Sequence, residues 1–577
     1  MTGTQLTGPG EAAPNAGTVG SPALQAASQQ LRTTAHVVGR ALADVGVAHA
    51  FGVLGSGNLA ATNALVGAGV PYTAARHEGG AASMAAAFHQ AGGGVAVCSV
   101  HQGPGLTNAM TGIADAAKRR TPMIVLAGDS SAGATTSNFY IDQAAVAVAA
   151  GAIAERVVSP ASAVEDVHRA MSRTVLESRP VVLNVPLDVQ AGPPHPGSPA
   201  SLPSPSPPAP SMPAIERLAN LLTVAERPVL LLGRGVDTDG AEAAIRELGD
   251  HVGALFATSA LAHGRIVDSP WNLGIAGGFS NPTTATLLRE ADLIVGFGVG
   301  FRGWTTQHGG LLADGVTLAQ VDVDPTAFGR HHHVDVEVVG DAALTARAVL
   351  EHLDASRVAA SWRDEALAQR IANGPWKLQP YDDVSADGRL DPRTVSIQLN
   401  DALPVDRTVV VDGGDNTGYP ILYFDVPDPA GFVFTSAGFQ SIGLALASAV
   451  GAARARPDRT TVVTVGDGGL LMAAAELETV ARLQLDLIVV AYNDAAYGAE
   501  VHHFEPEGEP VDLVRFPRGD LAGFASGVGL AARQVTTLGE LETATSWVRE
   551  TDGPRLLDVH IDPDVVLDWA AEAFKGH

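Results

Sequence analysis

Gly466-Asp467-Gly468 ends one apolar run, and Asn493-Asp494 ends the next, with the 24 residues Gly469 to Tyr492 between them. Glycines beside an aspartate let backbone N–H groups approach a diphosphate. A carboxylate from one loop, joined by amide or carboxylate oxygens from the next, makes a hard-oxygen set of the kind Mg²⁺ takes. The stretch between the two motifs reads as one helix, LLMAAAELETVARLQ, followed by the strand LDLIVVAYN. Parallel neighbouring strands would bring both motifs to one sheet edge, where ligands bind in open α/β sheets. A Gly-Asp-Gly alone is a common turn after a strand. The fixed gap and the second polar pair, followed by Tyr497-Gly498, are what make the combination specific.

A second group stands in the first third of the chain. Arg76-His77-Glu78-Gly79-Gly80-Ala81 opens an Ala-rich stretch, and His101-Gln102-Gly103-Pro104-Gly105-Leu106-Thr107-Asn108 follows the next apolar run. Taken singly, Glu78 is an acidic residue favoured at a helix N-terminus by the helix dipole. His502 and His503 come soon after Asn493-Asp494. The run His331-His332-His333 reads as a solvated turn. Gly233-Arg234-Gly235 follows a strand but lacks the third glycine of a dinucleotide fingerprint, which argues against a Rossmann dehydrogenase.

The elements that must carry these groups are short β-branched runs separated by Ala/Leu-rich stretches. They are 95–100, 122–128 and 180–186; then 228–233, 291–298 and 318–324; then 408–414, 460–468 and 485–493. Continuous apolar strands alternating with helices predict parallel sheets buried on both faces. Ten of the 23 residues from 191 to 213 are proline, so this stretch predicts an extended linker rather than a helix or central strand. A weaker break lies at 373–390. The expected plan is α/β: a disordered tail over 1–31, then three open parallel-sheet domains at 32–190, 214–372 and 391–577.

The 577 residues include 36 Lys+Arg against 62 Asp+Glu, a net charge of −26 with His neutral. So acidic a chain makes nucleic acid and anionic membranes poor partners. Cys98 is the only cysteine, which excludes an intrachain disulfide and a thiolate cluster and agrees with a cytoplasmic protein. No run reaches the ~20 apolar residues of a membrane span.

Together the motifs resemble those of the thiamine-diphosphate enzymes that include acetolactate synthase, pyruvate decarboxylase and benzoylformate decarboxylase, over about residues 32 to 568. The resemblance implies a pyrimidine-binding, a central Rossmann-like and a diphosphate-binding domain in that order. It implies Mg²⁺ on Asp467, Asp494 and the Ala496 carbonyl, with Asn493 bracing the loop. Gly414, Asp415, Asn416, Gln440, Gly466, Gly468, Gly469 and Tyr497 would border the cofactor, and Ile442 would prop it in a folded shape. Glu78 matches the activating glutamate, which favours the cofactor tautomer able to take its own C2 proton. His101 aligns with a histidine that handles protons on the substrate oxygen. Gln102, His502 and His503 join it as candidates for substrate contact.

Three departures argue against a standard acetolactate synthase. Charge is nearly absent after Gln143 until Glu155, Arg302-Gly303-Trp304 replaces an Asp-Asp-Arg, and His503 stands where a Trp is usual. They also make FAD a doubtful cofactor. The expected function is a lyase or carboligase acting on a small 2-oxo acid. The alternatives are hydrolytic diketone cleavage or acyl-CoA chemistry on the same cofactor, and a nucleotide- or flavin-binding protein that keeps the fold. Because Glu78 and the metal loop lie in different domains, the resemblance also implies a homodimer or homotetramer with shared sites. The Gly/Ala/Ser-rich helix after Glu78 would permit a close contact with a partner.

Overall fold

The computed structural model describes residues 30–204, 206–353, 362–386, 388–573 and 575. The expected tail falls outside these residues except for Gln30 and Leu31. Three six-stranded sheets follow one another along the chain, and all the strand pairs are parallel. The nine expected strands are all present, each within a few residues of its sequence bounds. Numbered in chain order within each sheet, the strands of the first and third sheets lie 2-1-3-4-6-5, whereas the central sheet runs 6-5-4-1-2-3. The central sheet therefore reverses direction between its first strand (Pro228–Leu232) and its fourth (Leu293–Phe297). A Cβ on Gly235 would stand 2.6 Å from the Gly298 Cα, so the two loops leaving that point touch backbone to backbone. The proline-rich stretch has no regular structure between Gln190 and Met212 among the described residues. One 3₁₀ turn, Trp376–Leu378, interrupts the stretch at 373–390.

Register explains how distant motifs meet. Gly466 pairs with Tyr492, so Asp467 and Asn493 leave adjacent strands at one level. In the first sheet Gly52 pairs with both Ala74 and Ser99. That brings the loops after residues 52, 74 and 100 to one edge.

The first and third sheets share a single apolar cluster, which includes Phe51, Met84 and Phe88 with Val410, Leu446 and Val463. Helix α1 (Glu78–Phe88) packs lengthwise on helix α2 (Ala445–Ala455) of the same chain. A Cβ on Gly451 would sit 2.1 Å from the Met84 carbonyl oxygen, and the Ser448 hydroxyl reaches the Ser83 carbonyl at 3.5 Å. The small residues of α1 thus serve an intrachain contact, and Ala81 to Phe88 are already buried. They lend no support to an interface with a second chain. Gly451→Ala should lower stability by about 1–3 kcal/mol or more, the usual cost of overpacking, because the obstructing atom is backbone. Thermal unfolding of the two proteins checks this.

One sequence expectation is corrected here. The single helix foreseen after Gly468 is two helices, Asp467–Met472 and α3 (Glu476–Leu483), with turns between them. The break re-aims α3, whose charged side chains then reach the loop before Glu78.

Candidate active site

The first half of the site lies at the edge of the first sheet. Glu78 is the first residue of α1, and His77 caps that helix by accepting from the Gly79 N–H at 3.0 Å. Asn108 Nδ2 donates to Glu78 Oε2 at 3.0 Å, which fixes the carboxylate and leaves Oε1 beside Gly105. His101 pairs through Nε2 with the Ser56 hydroxyl at 3.2 Å and through Nδ1 with the Gln102 carbonyl at 3.0 Å. The Phe139 ring meets it edge-on at 5.1 Å. Gln102 is buried; its Oε1 has no hydrogen-bond partner and lies where a Cβ on Gly57 would fall. Gln143 braces the Gly-Pro-Gly turn by accepting from the Gly103 N–H at 2.7 Å and donating to Asn184. Phe139 and Tyr140 stand exposed at this edge.

The second half lies at the edge of the third sheet. Asp467 opens a helix, and its Oδ1 is buried with no hydrogen-bond partner. Asp494 accepts from the Ala496 N–H at 3.1 Å and is a hydrogen-bonding neighbour of Asp467. Burial, and then the Asp467 carboxylate, push Asp494 up to about 8. Burial raises Asp467 as well. Two half-buried carboxylates side by side retain a proton that water would remove. A divalent cation removes that repulsion, so this donor set fits Mg²⁺. Asn493 is turned the other way, its Nδ2 donating to Asp558 Oδ1 at 2.8 Å. The loop after Asn493 is pinned from outside by Tyr497 N–H to the Val514 carbonyl at 2.9 Å and Phe516 N–H to the Ala495 carbonyl at 2.8 Å.

The rest of this edge is a cradle of small residues. Ile442 is partly exposed and points between Gly414 and Gly469, 3.2 Å from a Cβ placed on the latter. Its turn is held by buried Asp412, which accepts from the Gly443 N–H at 3.0 Å. Burial raises Asp412 to about 6, although the backbone donors around it oppose the shift. Gln440 and Ala495 adopt left-handed backbone, with φ of 51° and 61°. Such strain in non-glycine residues gathers at functional sites. Asn416 is buried beside Gly466, with its Nδ2 unpartnered. Tyr497 is exposed, its ring over Gly468.

His502 spends both ring nitrogens, Nδ1 on Asp415 Oδ1 at 3.1 Å and Nε2 on the Pro563 carbonyl at 2.6 Å. Burial works against its charge, but the hydrogen bond and charge of Asp415 prevail and carry it to about 9. His502 therefore holds Asp415 in place as a cation, while His503 is partly exposed against Phe504. In the distant triple-histidine turn, His332 bonds the Thr306 hydroxyl at 3.1 Å and His333 is exposed. Sequence reasoning gave no role to Asn108, His502's partner Pro563, Asp558 or Glu476. Asn108 alone carried a signal, as the last residue of the Gly-Pro-Gly-containing motif.

Three family models match in chain order. They are the N-terminal TPP binding domain of thiamine pyrophosphate enzymes at residues 32–148, the central domain at 215–349 and the C-terminal TPP binding domain at 412–559. Among curated proteins the chain is 30% identical to a probable 2-ketoarginine decarboxylase of Pseudomonas aeruginosa, covering 89% of this chain and 91% of that one. It is 27% identical to the acetolactate synthase isozyme 2 large subunit of Escherichia coli, over 90% and 94% of the two chains. It is 26% identical to a probable acetolactate synthase large subunit of Methanococcus aeolicus, over 91% of each. With every sheet matched to its domain, the chain belongs to the thiamine pyrophosphate enzymes, the family of acetolactate synthases and 2-oxo acid decarboxylases, and thiamine diphosphate is its cofactor.

Proposed function

We propose that the chain is a Mg²⁺-dependent lyase or carboligase that cleaves a 2-oxo acid beside its carbonyl and passes the acyl fragment to a proton or a second carbonyl. The observation that carries this reading is the half-buried Asp467–Asp494 pair, with the Asp467 Oδ1 buried and unpartnered, set at a glycine-lined edge. Thiamine diphosphate supplies the electron sink for such a cleavage. Asp467, Asp494 and the Ala496 carbonyl hold the metal, and Gly414, Asn416, Gly466, Gly468 and Gly469 leave room for the diphosphate. Ile442 sets the fold of the cofactor. Glu78, steadied by Asn108, would hold a proton for the cofactor's aminopyrimidine. His101 and His503 serve the substrate oxygen, whereas His502 positions Asp415.

Two copies of the chain complete each site, as a homodimer or a doubled dimer. Exposed Leu471 and Met472 beside the metal loop, and exposed Phe139 and Tyr140 beside His101, are apolar groups that a partner would cover. The single buried cysteine suits a cytoplasmic enzyme. No observation favours diketone hydrolysis, acyl-CoA chemistry or a non-catalytic role. The test is to incubate the purified chain with thiamine diphosphate, Mg²⁺ and a panel of 2-oxo acids, following CO₂ and ligated products. Release of CO₂ or formation of a hydroxyketone, abolished by chelation, is expected. Turnover of diketones or acyl-CoA esters alone overturns the proposal.

A further inference from the structure

The loop that delivers Glu78 is held by the third domain of the same chain. Glu476, at the start of α3, is buried, and its Oε1 accepts from the backbone N–H groups of Arg76 and His77, each at 3.0 Å. Its Oε2 accepts from the Thr479 hydroxyl at 2.7 Å, which fixes the carboxylate. One turn further on, an Arg482 guanidinium nitrogen donates to the Ala74 carbonyl at 2.7 Å. Glu478 pairs with the Arg76 side chain from the same helix. A Cβ on Gly80 would fall 2.4 Å from Glu476 Oε1, so the close approach requires glycine there. Every polar atom of the Glu476 carboxylate is thus committed to the two residues before Glu78 or to its own support.

We infer that Glu476 is a positioning residue for Glu78, with α3 serving as the clamp that sets the height and direction of the activating carboxylate. The inference rests on the reading of Glu78 given above. The two N–H groups find their acceptor in the buried Glu476 carboxylate, and hydrogen bonds to an ionised acceptor are among the stronger ones. Without that acceptor the loop must shift, and Glu78, the next residue, moves with it.

The test compares Glu476→Ala, Glu476→Gln and Glu476→Asp in the full chain by two readouts. The first is amide hydrogen exchange over residues 74–80 without cofactor. The second is exchange of the C2 proton of bound thiamine diphosphate, with kcat and KM measured alongside. Glu476→Ala should speed exchange at Arg76 and His77 and slow C2 exchange by about 10-fold to 10²-fold, the scale of an ångström misplacement. KM should change little. Glu476→Gln should restore most of both, because a carboxamide oxygen can accept both N–H groups while its NH₂ donates to Thr479. A folded Glu476→Ala protein with unchanged amide exchange, or unchanged C2 exchange, overturns the inference. If that variant does not fold, Glu476→Asp decides: its shorter side chain cannot reach both donors, so parental values in it are equally fatal. Glu78→Gln, run in parallel, separates the two readings. Unchanged C2 exchange there removes Glu78 itself, while the amide readout still reports whether the clamp exists.

Discussion

Glu78→Gln should slow exchange of the C2 proton of bound thiamine diphosphate by about 10²–10⁴-fold, the usual contribution of a positioned acid or base. The substitution keeps the shape, so Asn108 Nδ2 can still donate to the retained carbonyl oxygen, and α1 keeps its packing on α2. It removes the acidic proton that, in the proposed function, Glu78 would supply to the aminopyrimidine. The melting temperature and the affinity for cofactor should stay near the parental values. Proton exchange followed by magnetic resonance after quenching in acid measures the effect directly. A variant that exchanges at the parental rate would take Glu78 out of the mechanism.

Asp467→Ala should abolish metal-dependent cofactor binding. The reason lies in the electrostatics of the edge: Asp467 and Asp494 stand half-buried side by side, and the cation that would join them gains both carboxylates at once. Without metal the same pair relies on the proton that Asp494 retains, and it becomes a like-charge contact only where that proton is lost, above about pH 8. Above that pH the chelated variant should therefore melt no lower than the chelated parent, although it has lost a polar group. Calorimetric titration with thiamine diphosphate and Mg²⁺, together with thermal melts in chelator, separates the two effects. Tight binding to the variant in chelator would remove the metal from the proposal. The same variant tests assembly. Mixed with Glu78→Gln chains, each inactive alone, it should recover activity of at most about half per heterodimer if twofold-related chains share their sites. No recovery, with subunit exchange verified by mass, would place each site within one chain.

These expectations draw unequally on sequence and structure. The meeting of Asp467 with Asn493-Asp494 was legible because its cause is local. Gly466-Asp467-Gly468 and Asn493-Asp494 end adjacent apolar strands, and parallel register alone sets them side by side. Glu78 was legible for a similar reason, since a strand end, a cap and an Ala-rich helix follow one another within a few residues. The three sheets were legible because strands buried on both faces must be continuously apolar.

The remaining features depend on contacts that no local pattern encodes. Glu476 reads as a surface acid on an amphipathic helix. It becomes a buried acceptor only because turns before α3 tilt that helix toward a loop 400 residues earlier. His502 reads as a substrate contact, yet Pro563 and Asp415 claim both its nitrogens from two other loops. The small residues of α1 suit any close neighbour equally well, and the choice of α2 follows from where Gly451 lies in space. Sequence by itself determined the fold class, the cofactor and the acidic groups at each sheet edge, because strand periodicity and loop chemistry act over short stretches. Tertiary structure alone decided which side chains remain free to act at those edges and which are consumed in holding them, because hydrogen-bond capacity is saturated by partners distant in the chain.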